Sequence, residues 1–260
     1  MRGVSLPGVG CTARTRRRRA PPTLVEPRSG VRHASSRNNG GVSTGRNIHA
    51  VIFDLGGVLM LNGRPTDVAQ RYPDADPEVV TRALMGVYGE DSEHPWHRLE
   101  RGEISMAQYQ RDVRTLLTEA GITPAPSQRP PGQAGSPFRF EPNEHMIALV
   151  RDLRRSGLRT AMLTNNVREL RTAWWSVSEW PRLFDDIVDS HEVGMRKPNP
   201  EIYRLSASRI GVVPEASVFL DDVLTNVQAA DRVGMTGVHV EGAGESAIRR
   251  VRDLVGLQHA

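Results

Sequence analysis

The sequence predicts an α/β fold, a Rossmann-like parallel sheet with a small helical cap inserted after the first strand. Short apolar runs recur between amphipathic stretches of helical length, and such alternation builds parallel sheets covered on both faces. It is interrupted once, directly after the first run, by a segment whose periodicity is helical throughout. With 260 residues the chain can hold one large domain or two small ones, each with its own core.

Residues 1–46 hold ten arginines against one acid, Glu26, without a periodic apolar pattern. That composition cannot bury enough apolar surface to fold, so a disordered Arg-rich tail is expected. With no amphipathic face beside the charge, it reads as a dispensable tail or an over-called start of translation. A nucleic-acid arm, a membrane-surface arm or a transit peptide are the sharper alternatives.

From His49 the character changes. Ala50, Val51, Ile52 and Phe53 form an apolar run halted by Asp54, Gly56 and Gly57, which reads as a buried strand ending in a turn. Residues 61–140 are expected to be the helical cap and its tether. Asp76 caps and Pro77 opens a helix with Val79, Val80, Leu84 and Val87 inward. Ser105 and Gln108 form a capping box for another, which buries Met106, Tyr109, Val113, Leu116 and Leu117 before Gly121. Residues 122–142, rich in Pro, Gly and Gln, tether it back.

The sheet domain comprises residues 47–60 and 141–260. A helix after Pro142 carries Met146, Leu149, Val150 and Leu153 on one stripe and stops at Gly157. Strands are expected at 160–163, 187–188, 218–220 and 237–240. Asn199 and Pro200 start a helix that turns Ile202 and Leu205 inward and ends at Gly211; a further one runs from about Thr225 to Val233 and closes at Gly234.

Composition excludes several classes. Hydrophobic residues at 38% and charged residues at 25% rule out collagen, coiled coil and wholesale disorder. No apolar run approaches the roughly 18 residues of a bilayer-spanning helix, and the residues after Met1 lack a signal peptide's apolar stretch. A cytoplasmic protein without a membrane partner is expected. The lone Cys11 cannot form an intramolecular disulfide or a thiolate cluster, so a metal would be held by oxygen or histidine. The net charge of +4 is misleading: the tail carries +9 and the remaining 214 residues −5. The globular part therefore has no general affinity for nucleic-acid phosphates.

In sheets of this kind ligands bind beyond the carboxyl ends of the strands. Asp54 ends the first strand; Thr164, Asn165 and Asn166 follow the second; Asp221 and Asp222 end the strand that begins at Val218. Paired carboxylates are costly without a cation, and an oxygen-only set favours magnesium over zinc. Lys197 is the chain's only lysine among 34 basic residues and falls in Gly194-Met195-Arg196-Lys197-Pro198, directed to the same crevice. An aspartate, a hydroxyl, an amide, a lysine and an acidic pair suit phosphoryl transfer.

The segments Phe53-Asp54-Leu55-Gly56-Gly57-Val58-Leu59, Leu163-Thr164-Asn165, Gly194 to Tyr203, and Phe219-Leu220-Asp221-Asp222 with Asn226 resemble, in order, the four motifs of the haloacid dehalogenase (HAD) superfamily. The resemblance covers about residues 48–240. It is strongest to capped small-molecule phosphatases, including the phosphatase domain of soluble epoxide hydrolase and bacterial sugar-phosphate phosphatases. It implies an HAD-type, Mg2+-dependent phosphatase acting on a small phosphorylated metabolite, with sugar phosphates among the candidates. Asp54 would form an aspartyl-phosphate. Thr164 and the Asn165 backbone would bind phosphoryl oxygens, with Lys197 balancing charge on nucleophile and phosphate. Asp54, the Gly56 carbonyl and Asp222 would hold the metal, with Asp221 behind them or acting through water.

Gly56 departs from the pattern, since most family phosphatases carry there a second aspartate that protonates the leaving oxygen. General acid–base help is worth about 10²- to 10⁴-fold, so a slow enzyme, an undemanding leaving group or a substitute acid is expected. Some sugar-phosphate phosphatases of the family share this glycine. Two alternatives stay open: a metal-free hydrolytic dehalogenase, and a non-catalytic protein that binds a phosphorylated ligand. Glu100 and Glu103 are possible substitute acids, although acids are favoured near helix starts anyway. Tyr203, Trp174, Trp175 and Trp180 read as packing residues. His94 and His97 make only a weak metal pair.

Overall fold

A computed structural model of the chain describes residues 47–62, 72–123 and 140–258, all within one compact unit spanning Thr44–Ala260. The expected Arg-rich tail and tether residues 124–139 lie outside the described residues. Five parallel strands form one sheet in the order β3-β2-β1-β4-β5: β1 Ala50–Phe53, β2 Arg159–Thr164, β3 Asp186–Asp189, β4 Ser217–Asp221 and β5 Thr236–His239. The pairing register puts Phe53 beside Met162 of β2 and Leu220 of β4.

Alternate residues of β1 serve opposite faces, as the pleat requires. Val51 and Phe53 pack with Met162, Leu220 and the buried stripe of α4 (Glu144–Arg155), whereas Ala50 and Ile52 pack with Leu163, Phe219 and α8 (Pro200–Arg209). All four β1 residues are therefore buried, and the strand reads as a continuous apolar run. Helix α9 (Leu224–Arg232) covers the same face as α8; α10 (Glu245–Val255) joins α4. Trp174 and Trp180 are buried on the α4 side, where the Trp180 indole N–H donates to the Trp174 carbonyl at 3.0 Å. The short helices α5 (Arg171–Trp175), α6 (Trp180–Leu183) and α7 (Ser190–Val193) fill the β2-to-β3 crossover and its exit.

Between β1 and α4 the described chain is helical, with α1 Pro77–Met85, α2 Pro95–Glu100 and α3 Met106–Glu119. Its two ends lie side by side: Met60 bridges Pro142, and the Leu61 N–H donates to the Glu141 carbonyl at 2.8 Å. Val80, Leu84 and Met85 of α1 meet Val113 and Leu117 of α3 in a small apolar cluster. Val79 and Val87, expected inward, are 45% and 48% exposed. Helix α1 stops at Gly86 (φ +70), which puts Val87 past its end, and the buried stripe is i, i+4 from Val80. Of the expected inward residues of α3, Val113 and Leu117 are buried; Met106, Tyr109 and Leu116 are half-buried. Helix α2 escapes sequence reading because its cap is histidine: His94 Nδ1 accepts from the Trp96 N–H at 3.2 Å. No described helix is long and apolar enough to cross a membrane.

Candidate active site

Strand order reverses between β1 and β4, so the chain leaves their carboxyl ends in opposite directions and opens a crevice. Asp54 extends the β1 ladder by one bond, its N–H donating to the Leu220 carbonyl at 2.9 Å, and thus stands beside Asp221 at the end of β4. Between their carboxylates sits Lys197. Its Nζ donates to Asp54 Oδ1 at 2.7 Å and to Asp221 Oδ2 at 2.6 Å, and all three residues are less than 8% exposed. Asp221 also accepts from the Val223 N–H at 2.7 Å and the Asn226 amide at 3.1 Å, so its orientation is fixed on every side. Carboxylate oxygens of Asp54, Asp221 and Asp222 lie within 4.8 Å of one another.

Asp222 is half-buried over Gly57, and a Cβ built on Gly57 would stand 2.4 Å from Asp222 Oδ2. With φ at +73, Gly57 supplies both the turn and the clearance. Gly56, by contrast, has no left-handed φ. A left-handed conformation is therefore not what calls for a glycine there.

Thr164 ends β2 one strand away and is buried. The Asn165 side chain has work the sequence does not reveal: its Oδ1 accepts the Lys197 N–H at 2.8 Å and its Nδ2 donates to the Lys197 carbonyl at 3.0 Å. That reciprocal pair fixes the turn that aims the lysine.

Three carboxylates against one ammonium would leave two negative charges in a largely buried space were all of them ionised. Burial pushes the Asp54 carboxyl up to about 8; Lys197 opposes the rise and the Asp221 and Asp222 charges add to it. Burial works against the Lys197 charge too, but Asp221 and Asp54 outweigh it and hold its pKa above the ordinary value. A hard, oxygen-seeking divalent cation answers this imbalance, and the donor set fits one.

Of the possible substitute acids, Glu100 is buried against Arg196 and Glu103 is an exposed partner of Arg101 at 2.6 Å. His97 is buried in the insertion, where its Nδ1 accepts from the Ser92 N–H at 3.1 Å. Tyr203 is a packing residue whose hydroxyl donates to the Asn226 carbonyl at 3.0 Å. Sequence reading gave Arg196 no role; a second cation beside Lys197 carries no sign of which way it points.

A sequence model described as "haloacid dehalogenase-like hydrolase" matches residues 48–234. The chain is 29% identical to mouse acyl-CoA dehydrogenase family member 10 over 87% of its own length but spans only 21% of that protein. It is 30% identical to the sesquiterpene phosphatase astK of Aspergillus oryzae, covering 80% of this chain and 96% of that one. A crystal structure of an HAD family enzyme from Bacteroides thetaiotaomicron, in complex with magnesium and inorganic phosphate, superposes with a TM-score of 0.53 at 20% identity, over 75% of this chain and 95% of that one. That likeness shows a shared fold. By the match over residues 48–234, the chain belongs to the haloacid dehalogenase-like hydrolases.

Proposed function

We propose that the protein is a Mg2+-dependent phosphatase of a small phosphomonoester that works through an aspartyl-phosphate on Asp54. The observation that carries this reading is the Lys197 ammonium wedged between Asp54 and Asp221, at 2.7 and 2.6 Å, at the carboxyl ends of adjacent strands. That wedge keeps one Asp54 oxygen beside a positive charge where a phosphate dianion would otherwise be repelled.

An Asp54 carboxylate oxygen attacks phosphorus, the bond to the leaving oxygen breaks, and that oxygen takes a proton from solvent because Gly56 offers none. Water then attacks the phosphorus of the acyl phosphate, releasing inorganic phosphate and restoring Asp54. Thr164 and the Asn165 N–H hold equatorial oxygens, and Lys197 neutralises charge that grows in both displacements. Asp54, the Gly56 carbonyl and Asp222 would hold Mg2+, with Asp221 orienting Lys197 behind them; the ion's chemistry is charge neutralisation on the phosphoryl group. Residues 61–140 would act as a cap that excludes water and selects substrate, over a core of residues 47–60 and 141–260.

Hydrolysis of p-nitrophenyl phosphate, whose leaving group needs no proton, is the direct test. Turnover should fall by about 10³-fold or more in EDTA and in Asp54→Asn. Wild-type turnover no higher than Asp54→Asn would instead support a phosphate-binding protein without catalysis, the reading that Gly56 favours. Metal-independent release of halide from a 2-haloacid would establish the dehalogenase.

A further inference from the structure

Arg196 precedes the lysine of the acidic cluster and points the other way. It is fully buried, and each of its side-chain hydrogen bonds runs to the inserted segment, to the α1–α2 loop or to the end of α2. Nε donates to Glu100 Oε2 at 2.7 Å, Nη2 to the Tyr88 carbonyl at 3.2 Å, and Nη1 to the Glu90 carbonyl. The guanidinium carbon stands 5.5 Å from the Tyr88 ring centroid. Glu100 is buried as completely.

A wholly buried ion pair adds little stability over apolar side chains of the same size, whereas it fixes direction and spacing. Here the fixed object is the α1–α2 loop. Gly89 in that loop abuts Thr225 in the first turn of α9, three residues from Asp222: a Cβ on Gly89 would meet Thr225 Oγ1 at 2.4 Å. Arg101 holds the loop's other end, donating to the Ser92 carbonyl at 2.9 Å. The Tyr88 phenol is raised well above its ordinary value by burial first and then by Glu100, with Arg196 opposing and Asp54 and Asp221 adding.

We infer that Arg196, braced by Glu100, is a positioning residue that seats the segment Tyr88–Glu90 as the roof of the Asp54 pocket and thereby limits the size of the group a phosphate can carry. The inference rests on Asp54 as the phosphoryl acceptor. One turn thus serves both sides of the pocket: Lys197 sets the charge on the floor and Arg196 the height of the roof.

The test is a double variant, Arg196→Met with Glu100→Leu, which leaves no unpaired buried charge, alongside Glu100→Gln, which keeps the carboxyl's shape. Hydrogen–deuterium exchange of residues 87–92 should speed up by about tenfold or more in the double variant while the β1 and β4 amides stay protected. With Mg2+ present, KM for p-nitrophenyl phosphate should rise by about tenfold while kcat changes less than about threefold, and bulkier aryl phosphates should gain on it in relative kcat/KM. Glu100→Gln should shift the same readouts in the same direction by less, and serves if the double variant does not fold. Unchanged exchange at 87–92 together with an unchanged KM in a folded variant would overturn the inference, as would a uniform rise in exchange that includes the strands. Should the wild type hydrolyse no phosphomonoester, the functional reading fails, but the exchange of the loop still decides whether Arg196 seats it.

Discussion

The carboxyl edge of the sheet and the inserted helices both hold buried charge, but they place it differently. At the sheet edge the main chain does the placing: Asp54 and Asp221 end adjacent strands in register, and the Lys197 backbone is clamped by Asn165. In the insertion, side chains place one another. Glu100 is met by Arg196 from the core, and Arg101 ties Asp91, Glu93 and Glu103 around one guanidinium. A change at the edge should therefore alter chemistry, and a change in the insertion should alter where a loop lies.

Lys197→Met gives the largest expected effect. It removes the only ammonium from a cluster of three carboxylates, so turnover of p-nitrophenyl phosphate should fall by about 10³-fold. Breaking a buried pair costs on the order of 3–5 kcal/mol, and thermal melting should show a loss of that size, smaller at low pH where the cluster can take up protons. An exposed pair of the insertion, Arg98 with Glu103 at 3.4 Å, is the control. Arg98→Ala should cost no more than about 1 kcal/mol and leave turnover within about twofold. Equal losses from both variants would erase the distinction between the two regions.

Gly57 and Gly121 sharpen it further, since both sit near φ +70 and differ only in their neighbours. A Cβ at Gly57 would strike the Asp222 carboxylate, while one at Gly121 would meet nothing within 4 Å. Either alanine should cost about 1–2 kcal/mol of backbone strain. Only Gly57→Ala should also weaken Mg2+ binding, by about 10- to 100-fold, as displacement of a ligand's surroundings does. Titration calorimetry with Mg2+ checks this, and comparable weakening in Gly121→Ala would contradict it.

The same contrast explains how much was legible in the sequence. Asp54, Thr164, Asp221 and Asp222 could be assigned to one crevice because each follows an apolar strand, and strand ends in a parallel sheet share an edge. Lys197 was legible through its rarity and its motif. The α1–α2 loop was not, because its position depends on Arg196 meeting Glu100 across 96 residues, and no local pattern encodes that contact. Helix α2 is hidden by its histidine cap; Val87 lies past the Gly86 stop, and Val79, though inside α1, falls off the buried stripe that runs from Val80.

The two regions should also respond to pH with opposite signs. His97 in the insertion is held down at about 3, by burial first and then by the Arg196, His94 and Arg101 charges. Its ordinary value is 6.5, so its contribution to stability is complete above that pH and is lost as pH falls toward 3. Asp54 is raised from 3.8 to about 8, so its contribution is complete below 3.8 and is lost as pH rises through 8. Between those ordinary values the two slopes oppose each other; from 6.5 to 8 the Asp54 slope stands alone and amounts to at most about 2 kcal/mol. Melting in EDTA should therefore show Asp54→Asn gaining on the wild type as pH is raised from 6.5 to 8, with the groups outside the cluster cancelling in the difference. Saturating Mg2+ should abolish that gain, because a cation on the cluster holds Asp54 ionised in the folded wild type. A constant gap between wild type and Asp54→Asn across this range in EDTA would mean that Asp54 is already ionised at pH 6.5, and that Lys197 alone balances the edge.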